Sequence, residues 1–266
     1  MKLAAAEMLD FCDTTLQLDL VDGDAGVLRG VLDECFGPCD LLVADHEPQV
    51  PHLFVSDMDS TMIGQECIDE LGDKAGFGPR IAAITARAMN GELNFDEALI
   101  ERVGLMKGLP VSVIDEVLRE RITYTPGGRE LIATMKANGG YAALVSGGFT
   151  AFTASVATAL GFDENRANTL LTENGRLTGD VARPILGREA KVAALHDITA
   201  HLGITPADVI AVGDGANDLG MLHLAGAGVA LHAKPSVAAE CDIRINHGDL
   251  TALLYIQGYS VGEFAR

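Results

Sequence analysis

The chain has 266 residues, 48% hydrophobic and 21% charged, and 38 acidic against 19 basic side chains give it a net charge of −19. That is ample for a substantial core with one inserted subdomain, and it excludes a disordered chain. It also excludes a broad nucleic-acid footprint or an anionic-membrane surface, so an anionic substrate has to meet local cations.

The start, Met1 to Glu7, carries one positive charge, and its apolar stretch is cut short by Glu7 and Asp10, so it lacks a signal-peptide core. No apolar run reaches membrane-spanning length. Five scattered cysteines, Cys12, Cys35, Cys39, Cys67 and Cys241, suit reduced thiols, and the expectation is a cytoplasmic protein. Cys35 and Cys39 have no second Cys/His pair at finger spacing.

Residues 1–50 read as a short βαβ-like unit: Leu16 to Val21 alternates like a strand, Ala25 to Cys35 is helical and Leu41-Leu42-Val43 is strand-like. After the break at Val50-Pro51, Leu53-Phe54-Val55 suits a buried parallel strand, which exits at Ser56-Asp57-Met58-Asp59-Ser60-Thr61. From Gly64 to about Thr123 the pattern is helix after helix, at Gln65–Leu71, Arg80–Met89, Phe95–Met106 and Val111–Arg121, with Asn94 and Glu97 spaced as a capping box. Four helices exceed one crossover, so residues 64–123 are expected outside the sheet as a helical cap, with 51–63 and 124–266 as the core.

Beyond Thr125-Pro126-Gly127 strands and helices alternate: helix Gly128–Ala137, strand Tyr141–Val145, helix Phe149–Leu160, a hairpin about Asn174-Gly175, and helix Arg188–Leu202. Strand Val209–Val212, helix Asn217–Leu224, strand Val229–Leu231 and an edge-like Ile243–Ile245 complete it. The expected fold class is α/β, a doubly wound, mostly parallel sheet with an inserted helical cap.

If the strands are parallel, one sheet edge collects three exits: Asp57 and Asp59, then Ser146-Gly147-Gly148, then Gly213-Asp214-Gly215-Ala216-Asn217-Asp218. Paired carboxylates suit nucleophilic and acid–base chemistry at phosphorus. Ser-Gly-Gly opening a helix offers a hydroxyl and clear amides to a phosphate oxygen. Asp214 and Asp218 are hard ligands that favour magnesium shared with phosphate. Each group alone also fits a solvated turn, and Lys191 alone a surface charge.

Asp57-Met58-Asp59-Ser60-Thr61, Ser146-Gly147-Gly148, Lys191 and Gly213 to Asp218 occur in the order of the four motifs of the haloacid dehalogenase superfamily, which the chain resembles over about residues 50 to 256. Within it, Asn94-Phe95, Glu101-Arg102-Val103, Val145 to Phe149 and His232-Ala233-Lys234-Pro235 are similar to its phosphoserine phosphatases. Residues 1–50 are similar to a truncated form of the regulatory domain that some relatives carry.

The resemblance implies that Asp57 attacks phosphorus to form an aspartyl-phosphate. Asp59 protonates the leaving seryl oxygen and later deprotonates water. Magnesium is held by the Asp57 carboxylate, the Asp59 carbonyl and Asp214, with Asp218 in support. Ser146, Gly147 and Lys191 hold phosphoryl oxygens, with Asn217 on the phosphate side. Glu66 meets the substrate ammonium, Arg102 its carboxylate, and Phe95 packs over it. The implied substrate is L-phosphoserine, in the last step of serine biosynthesis. Another small phosphomonoester, such as phosphohomoserine, and a non-catalytic serine or phosphoserine sensor are the alternatives.

Charge makes the cation necessary. Four aspartates would face a phosphate of roughly −2 with only Lys191 in opposition, and each like pair about 4 Å apart costs about 4 kcal/mol at an effective dielectric near 20.

Overall fold

The computed structural model describes residues 2–8, 15–36, 38–42, 49–89, 92–241 and 243–265. In chain order these form strands β1 (Lys2–Met8) and β2 (Leu16–Asp22), helix α1 (Ala25–Phe36), strand β3 (Leu53–Ser56), and helices α2 (Cys67–Lys74), α3 (Gly78–Met89), α4 (Phe95–Gly104), α5 (Ser112–Glu120) and α6 (Gly128–Ala137). Next come β4 (Tyr141–Phe149), α7 (Thr150–Leu160), β5 (Glu164–Asn168), β6 (Leu170–Glu173), β7 (Arg176–Val181), α8 (Arg188–Leu202), β8 (Val209–Gly213) and α9 (Leu219–Leu224). The last are β9 (Ala227–Leu231), α10 (Pro235–Ala238), β10 (Ile243–Ile245) and α11 (Ala252–Tyr255).

Six strands form one parallel sheet in the order β10-β9-β8-β3-β4-β5. Its centre, β3, is buried on both faces, which is why Leu53-Phe54-Val55 is uninterruptedly apolar. Alternation sends Phe54 into one cluster with Ile132, Phe152 and Phe162, and Leu53 and Val55 into the other with Leu195, Ile198 and Met221. The neighbours of β3 are β4 on one side and β8 on the other, so the winding reverses there and opens a crevice beyond its carboxyl end.

Helices α2 to α5 leave the chain between β3 and α6 and pack on one another and on β7. Entry and exit of this excursion are stapled together: Gly64 N–H donates to the Thr123 carbonyl (3.0 Å), Thr123 N–H to Gln65 Oε1 (2.9 Å), and Thr125 N–H to the Met62 carbonyl (3.0 Å). The Asn94–Glu97 capping box of α4 has both reciprocal bonds. The β6–β7 hairpin turns at Asn174-Gly175, both with positive φ, and reaches over to the excursion, where Val111 N–H donates to the Gly175 carbonyl (3.0 Å).

Several details differ from the sequence reading. Ser146-Gly147-Gly148 does not open a helix; β4 runs on through Phe149, with a break in register between Val145 and Phe149, and α7 begins at Thr150. The reason is local bonding, since Ser146 Oγ accepts the Gly148 N–H (2.9 Å) and the Gly147 carbonyl is held from β5. Leu41 and Leu42 are not in a strand, and Val43 lies outside the described residues. That stretch instead carries Asp40, whose carboxylate accepts the backbone N–H groups of Asn246 (2.6 Å), His247 (3.1 Å) and Gly248 (2.6 Å) just past β10. Finally, residues 2–8, read only for targeting signals, form β1, antiparallel to β2. No described helix is long and apolar enough to cross a membrane.

Candidate active site

Asp57 is the first residue beyond β3, and its N–H extends the β8 ladder to the Val212 carbonyl (3.1 Å). The backbone therefore fixes where its carboxylate, on a side chain only 6% exposed, points. Oδ1 accepts the Met58 N–H (2.8 Å) and the Lys191 ammonium (2.8 Å), while Oδ2 takes no hydrogen bond among the described residues. Burial raises the Asp57 pKa well above the carboxylate range, against the pull of Lys191.

Lys191, in the first turn of α8, is buried, and its ammonium also reaches Asp218 Oδ1 at 2.5 Å. Burial disfavours its charge, but Asp57 and Asp218 outweigh that and raise its pKa. Asp218 is fully buried, with Oδ2 accepting the Gly215 N–H (3.0 Å). Gly213 is required by close approach, since a Cβ there would lie 2.4 Å from Cγ of the fully buried Asp218, while a Cβ at Gly215 would displace the Asn217 amide, 2.3 Å away.

Carboxylate oxygens of Asp57, Asp214 and Asp218 lie within 4.8 Å of one another. Burial first, then Asp218 and Glu66, push Asp214 up to about 6. A largely buried cluster of hard oxygens, with Lys191 bonded to two of its carboxylates and Lys234 acting on Asp214 from further off, fits a divalent cation of the magnesium type. The fully buried Thr61 adds a long contact to Asp214 Oδ1 (3.5 Å).

Asp59 stands beside this cluster. Its Oδ1 accepts the Cys67 N–H (3.2 Å), and Oδ2 sits where a Cβ on Gly148 would come within 2.9 Å. Burial and then Glu66 raise its pKa to about 7. Ser60, at φ +54°, donates from its hydroxyl to Glu66 Oε1 (2.7 Å). Glu66 is exposed and N-caps α2, while the half-buried Arg102 of α4 spends one N–H on the Ala98 carbonyl (3.2 Å). Burial lowers the Arg102 pKa, with Asp69, Glu66 and Asp59 opposing.

The Phe95 ring of α4 lies between two backbones: a Cβ on Gly147 would approach it to 3.2 Å and one on Gly187 to 3.1 Å. Asp57, Asp59, Ser146, Gly147, Lys191, Asp214 and Asp218 thus stand at the carboxyl edge of the sheet, Phe95 lies against Gly147, and Glu66 is tied to Ser60. The sequence reading did not single out Asn168, buried at the end of β5, which donates to the carbonyls of Gly147 (2.9 Å) and Leu186 (3.1 Å) and accepts the Leu186 N–H (2.8 Å).

The model of the haloacid dehalogenase-like hydrolases matches residues 54–223. A phosphoserine phosphatase of Polaromonas sp. is 46% identical over 207 residues, covering 76% of this chain and 88% of that protein. A phospho-aspartyl intermediate analogue of phosphoserine phosphatase superposes with a TM-score of 0.71 at 40% identity, over 78% of this chain and 99% of the other. A had family hydrolase from Salmonella enterica serovar Typhi reaches 0.81 at 34% identity, over 87% and 79%. The chain belongs to the haloacid dehalogenase-like hydrolases, among the relatives named phosphoserine phosphatase.

Proposed function

We propose that the protein hydrolyses L-phosphoserine to L-serine and phosphate through an aspartyl-phosphate on Asp57, with magnesium, as the last step of serine biosynthesis. The observation that carries this is the single cluster of Asp57, Lys191, Asp214 and Asp218 with Asp59 beside it. Asp57 Oδ2 attacks phosphorus while Lys191 holds Oδ1, and the bond from phosphorus to the seryl oxygen breaks as that oxygen takes the Asp59 proton. Water then loses its proton to Asp59, attacks phosphorus and frees Asp57. An Asp59 pKa near 7 suits both half-reactions. Ser146, Gly147, Lys191 and Asn217 serve the phosphoryl oxygens.

Asp57, Asp214, Asp218 and the Asp59 carbonyl would hold the ion. Bound there, it supplies the positive charge that lets an anionic substrate approach three carboxylates.

Glu66, Arg102 and Phe95 take the amino-acid end: a guanidinium fork fits a carboxylate and a glutamate an ammonium. We divide the chain into a core of 51–63 and 124–266, a cap of 64–123 and a separate unit of 1–50. The stapled hinge at 62–65 and 123–125 supports the first two boundaries. The net charge of −19 and the five scattered cysteines favour a small-molecule substrate, with no nucleic-acid or membrane partner, in the cytoplasm.

The test is steady-state phosphate release from L-phosphoserine, with and without magnesium. Turnover is expected with magnesium only, and Asp57→Asn should lower kcat at least about 10³-fold. Binding without phosphate release would make the protein a sensor instead.

A further inference from the structure

Asn168 spends its side-chain amide on the end of β4 and on the segment before α8, and neither the chemistry nor substrate recognition just described uses it. Resting on the phosphatase reading, we propose that Asn168 is a positioning residue, which sets the Ser146 hydroxyl and the start of the Lys191 helix in register with each other.

The geometry couples them through one peptide plane. The Gly147 carbonyl that accepts Asn168 Nδ2–H (2.9 Å) belongs to the same peptide as the Gly148 N–H, which donates to Ser146 Oγ (2.9 Å). Holding that carbonyl therefore holds the N–H that occupies a lone pair of the Ser146 oxygen, so its O–H turns elsewhere. The other two bonds clamp both polar atoms of Leu186, one at 3.1 Å and one at 2.8 Å. Leu186-Gly187 leads directly into α8, with the first-turn Lys191 four residues on from Gly187, and Gly187 N-caps that helix without a side-chain cap.

The same two backbones form the seat of Phe95, since a Cβ on Gly147 or Gly187 would press tightly against its ring, at 3.2 and 3.1 Å. One 2%-exposed amide thus sets the spacing between the phosphate strand, the lysine helix and the cap's phenylalanine. A displacement of about 1 Å in such a frame is enough to cost about 10²-fold in rate.

The experiment compares Asn168→Ala and Asn168→Asp with wild type in kcat and KM for L-phosphoserine, inhibition constant for inorganic phosphate, and melting temperature. Asn168→Asp keeps the shape and the acceptor for Leu186 N–H but loses both donated bonds. Both variants are expected to lose roughly 10- to 100-fold in kcat and to bind inorganic phosphate several-fold more weakly. A role in filling space alone predicts wild-type constants for Asn168→Asp, and that result would overturn the proposal. So would a fall in kcat that tracks only the folded fraction while phosphate inhibition stays unchanged. If wild type itself releases no phosphate from L-phosphoserine, the phosphatase reading fails instead.

Discussion

Lys191 answers two buried carboxylates at once, so its loss has a stability cost as well as a chemical one. Removing one member of a buried ion network leaves uncompensated charge, typically about 3–5 kcal/mol. Lys191→Ala should therefore abolish turnover and lower the melting temperature, and added magnesium should recover part of the stability by meeting the same carboxylates. Thermal unfolding with and without magnesium checks this; a variant as stable as wild type without the ion would refute it. Arg102 lies at the substrate's far end. Arg102→Ala should raise KM for L-phosphoserine by about 10- to 100-fold, the worth of charged hydrogen bonds of about 1.5–3 kcal/mol. It should leave a phosphomonoester without a carboxylate nearly unaffected, as initial rates on the two substrates would show. At this scale the sequence was most informative about Asp57, Asp59, Asp214 and Asp218, whose types and spacing are set by the chemistry. Asn168 was not legible, because its partners lie 18 and 21 residues away and only folding brings them to it.

Elements were legible where burial imposed a period. Leu53-Phe54-Val55 had to be a two-sided strand, and α6 and α8 were read at their observed bounds, Gly128–Ala137 and Arg188–Leu202. The polar edge strand Glu164–Asn168 offered no apolar run, and so β5 went unread. The same limit hid the end of β4, where side-chain bonds, and not hydrophobicity, carry the strand through two glycines. It also hid the docking of Asp40, a carboxylate set among consecutive backbone amides past β10. Asp40→Ala leaves those three N–H groups to water and removes a side-chain link across about 200 residues of sequence. We expect it to speed limited proteolysis at residues 38–42 several-fold with kcat nearly unchanged. Equal cleavage rates for the two proteins would show that Asp40 does not tether this segment.

For the whole molecule, the opposing facts are a net charge of −19 and a fold that concentrates part of that charge at one sheet edge. Folding brings Asp57, Asp214 and Asp218 to within 4.8 Å, whereas an unfolded chain keeps the first more than 150 residues of sequence from the others. A divalent ion therefore binds the native state by preference, and at a hundred times its dissociation constant it stabilises that state by about 2.7 kcal/mol. For a chain of this size each kcal/mol moves the melting temperature by roughly 2–4 °C, so saturating magnesium should raise it by about 5–10 °C. General screening would relieve surface repulsion as well, and sodium chloride at matched ionic strength separates the two effects. Only magnesium should give the full shift, and Asp214→Asn should remove most of it together with turnover. If sodium chloride matched magnesium, or if the shift survived in Asp214→Asn, the cluster would not be the site where the ion acts.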